Sequence, residues 1–348
     1  MRVAFVYPNP REELALQVAR GIAPDTGLLG QNHLSDFGIE SFVYDSALRR
    51  VNAVRGVGHR ISWIAREVTL PWELRNTDLV VTPLVNLLPL VARLARRPRV
   101  LLLSYGTAAL WARASRARRA LLRASLRSAD GIVTISTAGR DRIVRDIGLD
   151  PARVHAVSFG IDQRFWQPAA PAADGHVLTV GRDLARDYAT FAEALDGLPV
   201  RGVVVAKEEN LRGVRLPPNV EVKMHIPLED LRRLYHDASC VVIPMHPDGD
   251  PRGTESSGNT ALLEAMACGR ASVTTERASL REYLYADATV TTPATDASAL
   301  RGALQRLIDT PDETAALGAA GRQHVEERHT TRHFAERLAT IIEEVGKR

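Results

Sequence analysis

Residues 240–275 read CVVIPMHPDGDPRGTESSGNTALLEAMACGRASVTT, and this stretch decides the fold. It begins with an apolar run, passes through a loop of small and polar residues, and takes on helical periodicity at Thr260–Cys268. A second apolar run follows at Ala271–Thr275. A strand, a glycine-containing loop, a helix and another strand form the repeating unit of a parallel sheet. The stretch therefore predicts an α/β fold.

The same alternation of short apolar runs and amphipathic stretches continues in both directions along the chain. It predicts parallel sheets whose two faces are covered by helices. The Pro/Ala-rich tract Gln167–Gly175 interrupts the pattern near the middle and is typical of an interdomain linker. We expect two Rossmann-like halves joined at this tract. The strands predicted in the first half are Val3–Tyr7, Asp78–Thr82, Val100–Ser104 and Gly131–Ile135.

Length and composition limit the class of protein. The chain has 348 residues, enough for two domains that each bury a core, and average proportions of hydrophobic (45%) and charged (25%) residues. Two cysteines are too few for a disulfide framework. The chain enters a short apolar run at Val3 without the pattern of a signal peptide, and no stretch approaches the roughly 20 apolar residues of a membrane span. We predict a soluble, cytoplasmic protein.

The positive charge of the chain is concentrated in its first half. Between Arg49 and Arg145 the sequence carries 19 arginines but only five acidic residues, although the whole chain has a net charge of only +4. The segment Trp111–Ser128 combines six of these arginines with an apolar side. It fits a solvated helix face, peripheral contact with an anionic membrane, or binding of an anionic acceptor. Aromatic residues make up only 5% of the chain, which argues against nucleic-acid binding.

The loop before the helix at Thr260–Cys268 has the chemistry of a nucleotide site. The first-turn N–H groups of a helix have no internal partner, and the helix dipole favours an anion there. Gly258 has no side chain that would obstruct a phosphate. Glu264 lies about one turn further along, where a carboxylate can accept hydrogen bonds from two ribose hydroxyls. The first strand is followed by Pro8-Asn9-Pro10-Arg11 instead of G-x-G-x-x-G, which argues against a dinucleotide-dependent dehydrogenase.

Five segments in the right order resemble the large retaining glycosyltransferase family of GT-B type (group 1, family 4-like). SSGNTALLEAMACGRASVTT resembles its donor-binding motif, and Gly181-Arg182-Asp183 with Arg186 resembles the opening of its C-terminal domain. The resemblance extends from Ala129 to Arg328; its other segments are Ala129–Ser136, Val157–Asp162 with Phe165, and Leu231–Pro244.

The resemblance implies a fold and an activity. The fold would be two Rossmann-like domains facing across a cleft, with a C-terminal helix that crosses back to the N-terminal domain. The acceptor-binding domain would comprise 1–168 and 332–348, and the domain that binds the nucleotide sugar would comprise 169–331. The activity would be transfer of a sugar from a nucleoside diphosphate sugar to a small-molecule, glycan or lipid-linked acceptor, with retention of configuration. No metal or other cofactor would be required.

The resemblance also implies roles for individual residues. Arg182 and Arg186 would stabilise the departing diphosphate together with main-chain amides, and Glu264 would hold the ribose. Ser256 stands eight residues before Glu264, where many members carry a glutamate that contacts the sugar, and Arg186 stands in place of a lysine. His225 follows a strand at the place that contacts the base. The further residues of the nucleotide site would be Gly181, Ser257, Gly258, Asn259 and Thr260.

We expect the acceptor site at the carboxyl end of a strand in the first domain. Tyr105 and Thr107 follow the predicted strand Val100–Ser104 and are its candidates, although the histidine that the family often places near here is absent. Asp248-Gly249-Asp250 has the spacing of a Mg²⁺-binding D-x-D pair, but acidic residues are common in such Gly/Pro loops, and we expect no metal there.

Two other functions fit the same chain. A sugar-nucleotide epimerase on this fold would require acidic and histidine residues opposite the donor. A non-catalytic protein that binds a sugar nucleotide or docks on a membrane would bind its ligand without turnover.

Overall fold

The computed structural model describes residues 1–45, 57–170, 172, 174–250, 252–254 and 256–347. The beginning of the basic stretch predicted from Arg49 and two positions of the linker predicted at Gln167–Gly175 lie outside these residues. The chain forms two compact units: Met1–Val157 with Thr331–Arg348, and Ser158–Thr330. No helix in the described ranges is both long and apolar enough to cross a bilayer.

The first unit is built on a six-stranded parallel sheet with the strand order β2-β1-β3-β4-β5-β6. Its central strands are short runs of buried, largely β-branched or leucine residues, which suit a sheet covered on both faces. The strands are β1 (Arg2–Phe5), β2 (Glu40–Val43), β3 (Leu79–Thr82), β4 (Arg99–Ser104), β5 (Gly131–Thr134) and β6 (Val154–Ala156). The helices are α1 (Glu12–Ala19), α2 (Val57–Glu73), α3 (Leu88–Ala95), α4 (Thr107–Arg113), α5 (Arg116–Ser128) and α6 (Thr137–Ile147).

Helices α2, α3, α5 and α6 cover one face of this sheet. Their apolar residues form a single core with alternate strand residues such as Val80, Leu102 and Ile132. Because every second side chain of a strand points to the same face, only alternate residues of each strand belong to this core. The outer sides of these helices therefore face away from the sheet.

The single helix predicted at Trp111–Ser128 is wrong: the chain forms two helices there. Ala114 adopts an extended conformation (φ −79°, ψ 141°) and ends α4. Ser115 is then the N-cap of α5, and its side chain accepts a hydrogen bond from the Arg118 N–H at 3.4 Å. A serine at this position competes with the backbone for hydrogen bonds and starts a new helix.

The last helix, α12 (Thr331–Lys347), belongs to the first unit, as predicted. Its buried face includes Phe334, Leu338 and Ile342. It lies close to Gly30, where a Cβ atom would stand 3.0 Å from the Cβ of Ala335. The lack of a side chain at Gly30 (φ 77°) allows this close approach.

The second unit contains another six-stranded parallel sheet, with the order β12-β11-β10-β7-β8-β9. The α/β fold with two Rossmann-like sheets is thus confirmed. Its strands are β7 (His176–Val180), β8 (Gly202–Val205), β9 (Val220–Lys223), β10 (Ala238–Ile243), β11 (Ala271–Thr275) and β12 (Thr289–Thr292). Its helices are α7 (Tyr188–Leu195), α8 (Leu228–Asp237), α9 (Asn259–Ala267), α10 (Ala297–Asp309) and α11 (Pro311–Arg328).

The division between the units comes before the predicted linker. Residues 158–168 belong to the second unit because Trp166 is buried against Tyr235, with ring centroids 5.3 Å apart. Arg322 also donates hydrogen bonds to the carbonyls of Gln163 (2.9 Å) and Trp166 (2.8 Å). These contacts tie the segment to α8 and α11, so a Pro/Ala-rich composition alone does not locate the boundary.

Candidate functional site

A cavity of about 500 Å³ lies in the second unit, at the carboxyl ends of β7 and β8. In open parallel sheets this edge is the usual ligand position. The cavity is lined by residues from the β7–α7 connection, by Ile226 after β9, and by the loop and first turns of α9. Eight of the predicted site residues lie in its wall: Gly181, Arg182, Arg186, Ser256, Ser257, Gly258, Thr260 and Glu264.

The N-terminus of α9 forms one side of the cavity. Gly258 is its N-cap with φ 99°, a conformation that residues with a side chain rarely adopt. Among the described residues no side chain caps this helix, whereas the carboxylate of Asp187 accepts a hydrogen bond from the Thr190 N–H at the start of α7. The first-turn N–H groups of α9 are therefore left for another hydrogen-bond acceptor, and an anion fits them best.

Hydroxyl groups fix the loop that precedes α9. The Ser257 hydroxyl accepts a hydrogen bond from the Thr254 N–H at 3.1 Å. The Thr254 hydroxyl lies 3.1 Å from that of Ser256 and 3.2 Å from that of Ser257. Ser256 and Ser257 thus stand in the cavity wall on a turn that the loop's own side chains hold in place.

Arg186 is a buried cation in the wall of the cavity, with 6% of the residue exposed. Its Nε lies 3.3 Å from Oδ2 of Asp183, and its Nη1 has no hydrogen-bond partner among the described residues. The guanidinium packs directly on Gly181, where a Cβ atom would stand 2.7 Å from Cζ of Arg186. Gly181 is therefore needed for the position of the arginine. A buried guanidinium with an unused N–H group is a strong binding group for a phosphate.

Arg182 also lines the cavity but is exposed. The neighbouring turn is fixed by Asp183, whose carbonyl accepts a hydrogen bond from the side chain of Asn210 at 2.9 Å. The Asp183 carboxylate accepts another from the Ala185 N–H at 3.1 Å. The β7–α7 connection thus places one buried arginine and one exposed arginine in the cavity wall.

Glu264 is partly buried in α9 and lines the cavity. Its Oε2 accepts a hydrogen bond of 2.8 Å from the hydroxyl group of Tyr235 in α8. Burial raises the pKa of the Glu264 carboxyl to about 7, although the hydrogen bond from Tyr235 and the charge of Arg186 both favour the ionised form. The same environment raises the pKa of Tyr235 well above its usual range, so the tyrosine remains a donor.

Two predicted residues lie outside the wall of this cavity. His225 is exposed, with φ 53°, and only the neighbouring Ile226 lines the cavity. Asn259 is 1% exposed, and its side-chain amide makes no hydrogen bond among the described residues.

The two acidic residues of the D-x-D sequence are held by different partners. Asp248 accepts a hydrogen bond from Arg277 Nε at 2.9 Å and another from the Ala278 N–H at 2.6 Å. Asp250 forms a two-pronged pair with Arg252, at 3.0 and 2.7 Å. In the described part of the chain, no group of three or more His, Cys, Asp or Glu residues is placed to hold a metal ion.

The candidate acceptor residues lie in the first unit, at the carboxyl end of β4. Tyr105 follows this strand and is partly buried, and Thr107 begins α4 with 4% of its surface exposed.

Arginines of the basic segment interact with neighbouring helices. Arg119 donates to the carbonyls of Trp111 and Ala112 at the end of α4, at 3.0 and 2.8 Å. Arg123 and Arg127 donate to the carbonyls of Ile147 and Gly148 at the end of α6, at 3.0 Å each. A guanidinium at a helix C-terminus satisfies its free carbonyls and its dipole.

Two residues hold the charged side chains of the cavity in place. Asp183 and Asp187 stand close enough to Arg186 in the sequence to pair with it, and Arg186 pairs with Asp183 at 3.3 Å. Tyr235, which holds Glu264, was missed because nothing in the sequence shows which side chains α8 and α9 bring together. The only signal was the position of Tyr235 on the apolar side of a helix next to the donor motif.

Comparisons with known proteins agree with this architecture. A family model described as "Glycosyl transferase 4-like domain" matches residues 33–160, and one described as "Glycosyl transferase-like" matches residues 186–340. Alpha-maltose-1-phosphate synthase of Mycolicibacterium smegmatis is 28% identical over 259 residues, which cover 64% of this chain and 65% of that protein. MMP alpha-(1->4)-mannosyltransferase of Mycolicibacterium hassiacum is 24% identical, over 61% of this chain and 53% of that protein. Both alignments span less than two thirds of the relative's length.

Solved structures resemble the chain over almost its whole length. Sucrose-phosphate synthase from Thermosynechococcus elongatus has a TM-score of 0.72 at 17% identity and covers 99% of both chains. Anabaena HepE in complex with UDP-glucose has a TM-score of 0.70 at 13% identity and covers 99% of this chain and 100% of the other. At such identities the likeness shows the fold alone. With the two family models, it places the chain in the GT-B glycosyltransferases, as a 4-like domain followed by a glycosyl transferase-like domain.

Proposed function

We propose that the chain transfers a sugar from a nucleoside diphosphate sugar to an acceptor hydroxyl group, with retention of anomeric configuration. One observation carries this proposal: a single cavity combines two arginines, an uncapped helix N-terminus and a carboxylate held by a tyrosine. These are the groups needed to bind a diphosphate at one end and a ribose at the other.

In this proposal the diphosphate lies between the N-terminus of α9 and the two arginines. Negative charge develops on the leaving diphosphate as the bond to the sugar breaks. Donors that are already aimed at this position stabilise the transition state more than the bound substrate, which raises the rate. Arg186 suits this role because its burial and its contact with Gly181 hold it in place. Arg182 is exposed and would close on the phosphate when the donor binds.

Glu264 would accept hydrogen bonds from the ribose hydroxyl groups. Oε2 is already bonded to Tyr235, which fixes the plane of the carboxylate. The carboxylate would use its remaining lone pairs to accept the hydroxyl groups of a ligand in the cavity that Glu264 lines.

The charges in the cavity wall support retention without a protein nucleophile. Its described carboxylates, Asp183 and Glu264, are each paired with another residue, Arg186 and Tyr235 respectively. An oxygen of the leaving diphosphate would then take the proton of the attacking acceptor on the same face of the sugar. Arginines and helix N–H groups would neutralise the diphosphate, so we propose a reaction that requires no metal ion.

The named complexes support a nucleotide sugar as the donor. Anabaena HepE is described in complex with UDP, with UDP and glucose, and with UDP-glucose. Two of the similar proteins are named as synthases of phosphorylated sugars, which makes a sugar phosphate a suitable first acceptor to test. The acceptor site would include Tyr105 and Thr107.

The test is acceptor-dependent release of the nucleoside diphosphate. UDP-, GDP- and dTDP-sugars are incubated with glucose 1-phosphate, short glucans or lipid-linked sugars, and free diphosphate and product are measured. A transferase releases diphosphate faster when its acceptor is present, and the product keeps the anomeric configuration of the donor. Conversion of the donor sugar without diphosphate release would indicate an epimerase, and binding without turnover against any acceptor would indicate a binding protein.

A further inference from the structure

Helices α2, α3 and α5 form a continuous layer over one face of the first sheet, and the outside of this layer exposes large apolar residues. These helices pack on a common core with their inner sides. On their outer sides Trp72 is 57% exposed, Leu94 75% and Leu121 42%. Leu94 is the most exposed large hydrophobic residue of the described chain.

The same layer presents no exposed acidic side chain. The sequences of α3 and α5 contain no acidic residue, and α2 contains only Glu67 and Glu73. Glu67 is 1% exposed and accepts hydrogen bonds from the Leu87 and Leu88 N–H groups. Glu73 accepts hydrogen bonds from two hydroxyl groups, at 2.8 and 2.5 Å. Glu67 is thus buried and Glu73 partly buried, so the described charged residues that the layer exposes are arginines.

Exposed arginines surround Leu94. Arg93, Arg96 and Arg97 are all exposed and form no ion pair with any described residue. They line a cavity of about 550 Å³ beside the end of α3. The two acidic residues in its wall are used within the fold, because Asp78 accepts the Arg2 N–H at 2.7 Å and Asp130 the Val100 N–H at 2.8 Å.

We infer that this layer docks on an anionic lipid membrane, with Leu94 and Trp72 entering the boundary between headgroups and acyl chains. Arg93, Arg96 and Arg97 would bind lipid phosphates, one of them in the cavity. A bilayer interface satisfies both the apolar side chains and the unpaired cations of the layer. A nucleic acid would satisfy only the cations and would leave Leu94 in water. The contact therefore lies on α2 and α3 more than on the predicted segment Trp111–Ser128, whose Arg119, Arg123 and Arg127 are engaged within the unit.

Vesicle sedimentation tests this inference. The full chain is mixed with vesicles of phosphatidylcholine alone or with added phosphatidylglycerol. We expect binding only to the anionic vesicles, weakened by salt. Replacing Arg93, Arg96 and Arg97 by alanine should weaken it about 100-fold, since each basic residue near the surface contributes about 1 kcal/mol. Leu94→Ser should weaken it about tenfold.

Matched variants on other surfaces separate docking from a general charge effect. Leu16→Ser removes an apolar side chain of α1 that is 60% exposed, and the double variant Arg212→Ala/Arg215→Ala removes two exposed cations of the second unit. Both should bind as the unchanged chain does. Equal binding to neutral vesicles, or equal loss in these controls, would overturn the inference. The inference would also be overturned if the chain bound DNA through the arginines around Leu94 and did not sediment with anionic vesicles.

Discussion

The hydroxyl group of Tyr235 donates a hydrogen bond to Oε2 of Glu264 at 2.8 Å and so joins α8 to the helix whose N-terminus borders the cavity. The two helices flank the same strand in the sequence, because α8 precedes β10 and α9 follows it. The pair places a partly buried carboxylate in the cavity wall with one oxygen already occupied. In our account Glu264 binds the donor ribose, and Tyr235 is its positioning residue.

Tyr235→Phe should weaken binding of the nucleotide sugar about fivefold, since one hydrogen bond to a charged group contributes about 1 kcal/mol or more. Because this bond favours the ionised carboxylate, its loss should also raise the pKa of Glu264 further. Calorimetric titration with UDP-glucose from pH 6 to pH 9 measures both effects. The control is Tyr283→Phe, which removes a buried hydroxyl that accepts the Phe159 N–H at 2.8 Å. If both variants bind the donor alike at every pH, Tyr235 has no positioning role.

Donor binding should depend on pH through Glu264. Ribose hydroxyls donate to a carboxylate, so the affinity for UDP-glucose should rise as the pH passes through about 7, where this carboxyl ionises. UDP-glucose is the suitable ligand because its diphosphate does not titrate in this range, unlike the terminal phosphate of free UDP. Glu264→Gln should bind about tenfold more weakly at pH 8 and lose the pH dependence. If Glu264→Gln still binds UDP-glucose more tightly as the pH rises, a group other than Glu264 is responsible for the pH dependence.

The same residue should affect the stability of the free protein in the opposite sense. The pKa of Glu264 is raised from 4.5 to about 7 in the fold. The folded state therefore binds more protons than the unfolded state between these values, and stability is lost as the pH rises through the folded pKa. Relative to the unchanged chain, Glu264→Gln should gain up to about 3 kcal/mol between pH 4.5 and pH 8. Urea unfolding of both proteins at the two pH values measures the difference. A constant difference would contradict the raised pKa.

Gly181→Ala should reduce donor binding and turnover more than it reduces stability. The new methyl group would stand 2.7 Å from Cζ of Arg186 and displace the guanidinium from its place in the cavity wall. We expect at least about a tenfold loss of kcat/KM, since a misplaced charged donor forfeits about 1.5–3 kcal/mol. The control is Gly302→Ala in α10, where a Cβ meets nothing within 4 Å. That variant should keep full activity and gain about 0.5–1 kcal/mol of stability.

Glu67→Ala should destabilise the first unit by about 2–4 kcal/mol. The buried carboxylate accepts the Leu87 and Leu88 N–H groups, at 2.6 and 3.0 Å, and thereby caps the start of α3. Its removal leaves buried donors without a partner. Denaturant unfolding gives the change, with Glu336→Ala on the exposed side of α12 as the comparison. Equal stability of the two variants would show that the cap contributes little.

Sequence patterns located the central strands and most helices because these elements carry long buried runs. They missed β2 and β6, which lie at the two edges of the first sheet and are short, and β2 has no fully buried residue. They also missed three helices: α2 and α3, each of which contains a proline, and α11, whose apolar and polar residues show almost no helical segregation. The break at Ala114 was hidden because alanine and arginine favour helix on both sides of it.

The cavity residues were largely predictable, but the partner of Glu264 was not. Gly181, Arg182, Gly258 and Glu264 stand in motifs that a phosphate or a ribose requires. The pairing of Glu264 with Tyr235 depends on how the second sheet places α8 beside α9, and no local pattern encodes that distance.

The central claim is that the cavity of the second unit holds a nucleotide sugar, and thermal unfolding tests it most directly. The unchanged chain, Arg182→Ala and Arg201→Ala are each heated with UDP-glucose, GDP-mannose or dTDP-glucose. Arg201 is exposed and faces Glu221 at 3.8 Å, outside the cavity wall, so its removal controls for lost charge. We expect one nucleotide sugar to stabilise the unchanged chain and Arg201→Ala by about 2.7 kcal/mol at 100 times its Kd, and Arg182→Ala to lose most of this gain. No stabilisation by any of the three, or the same stabilisation in Arg182→Ala, would contradict the claim.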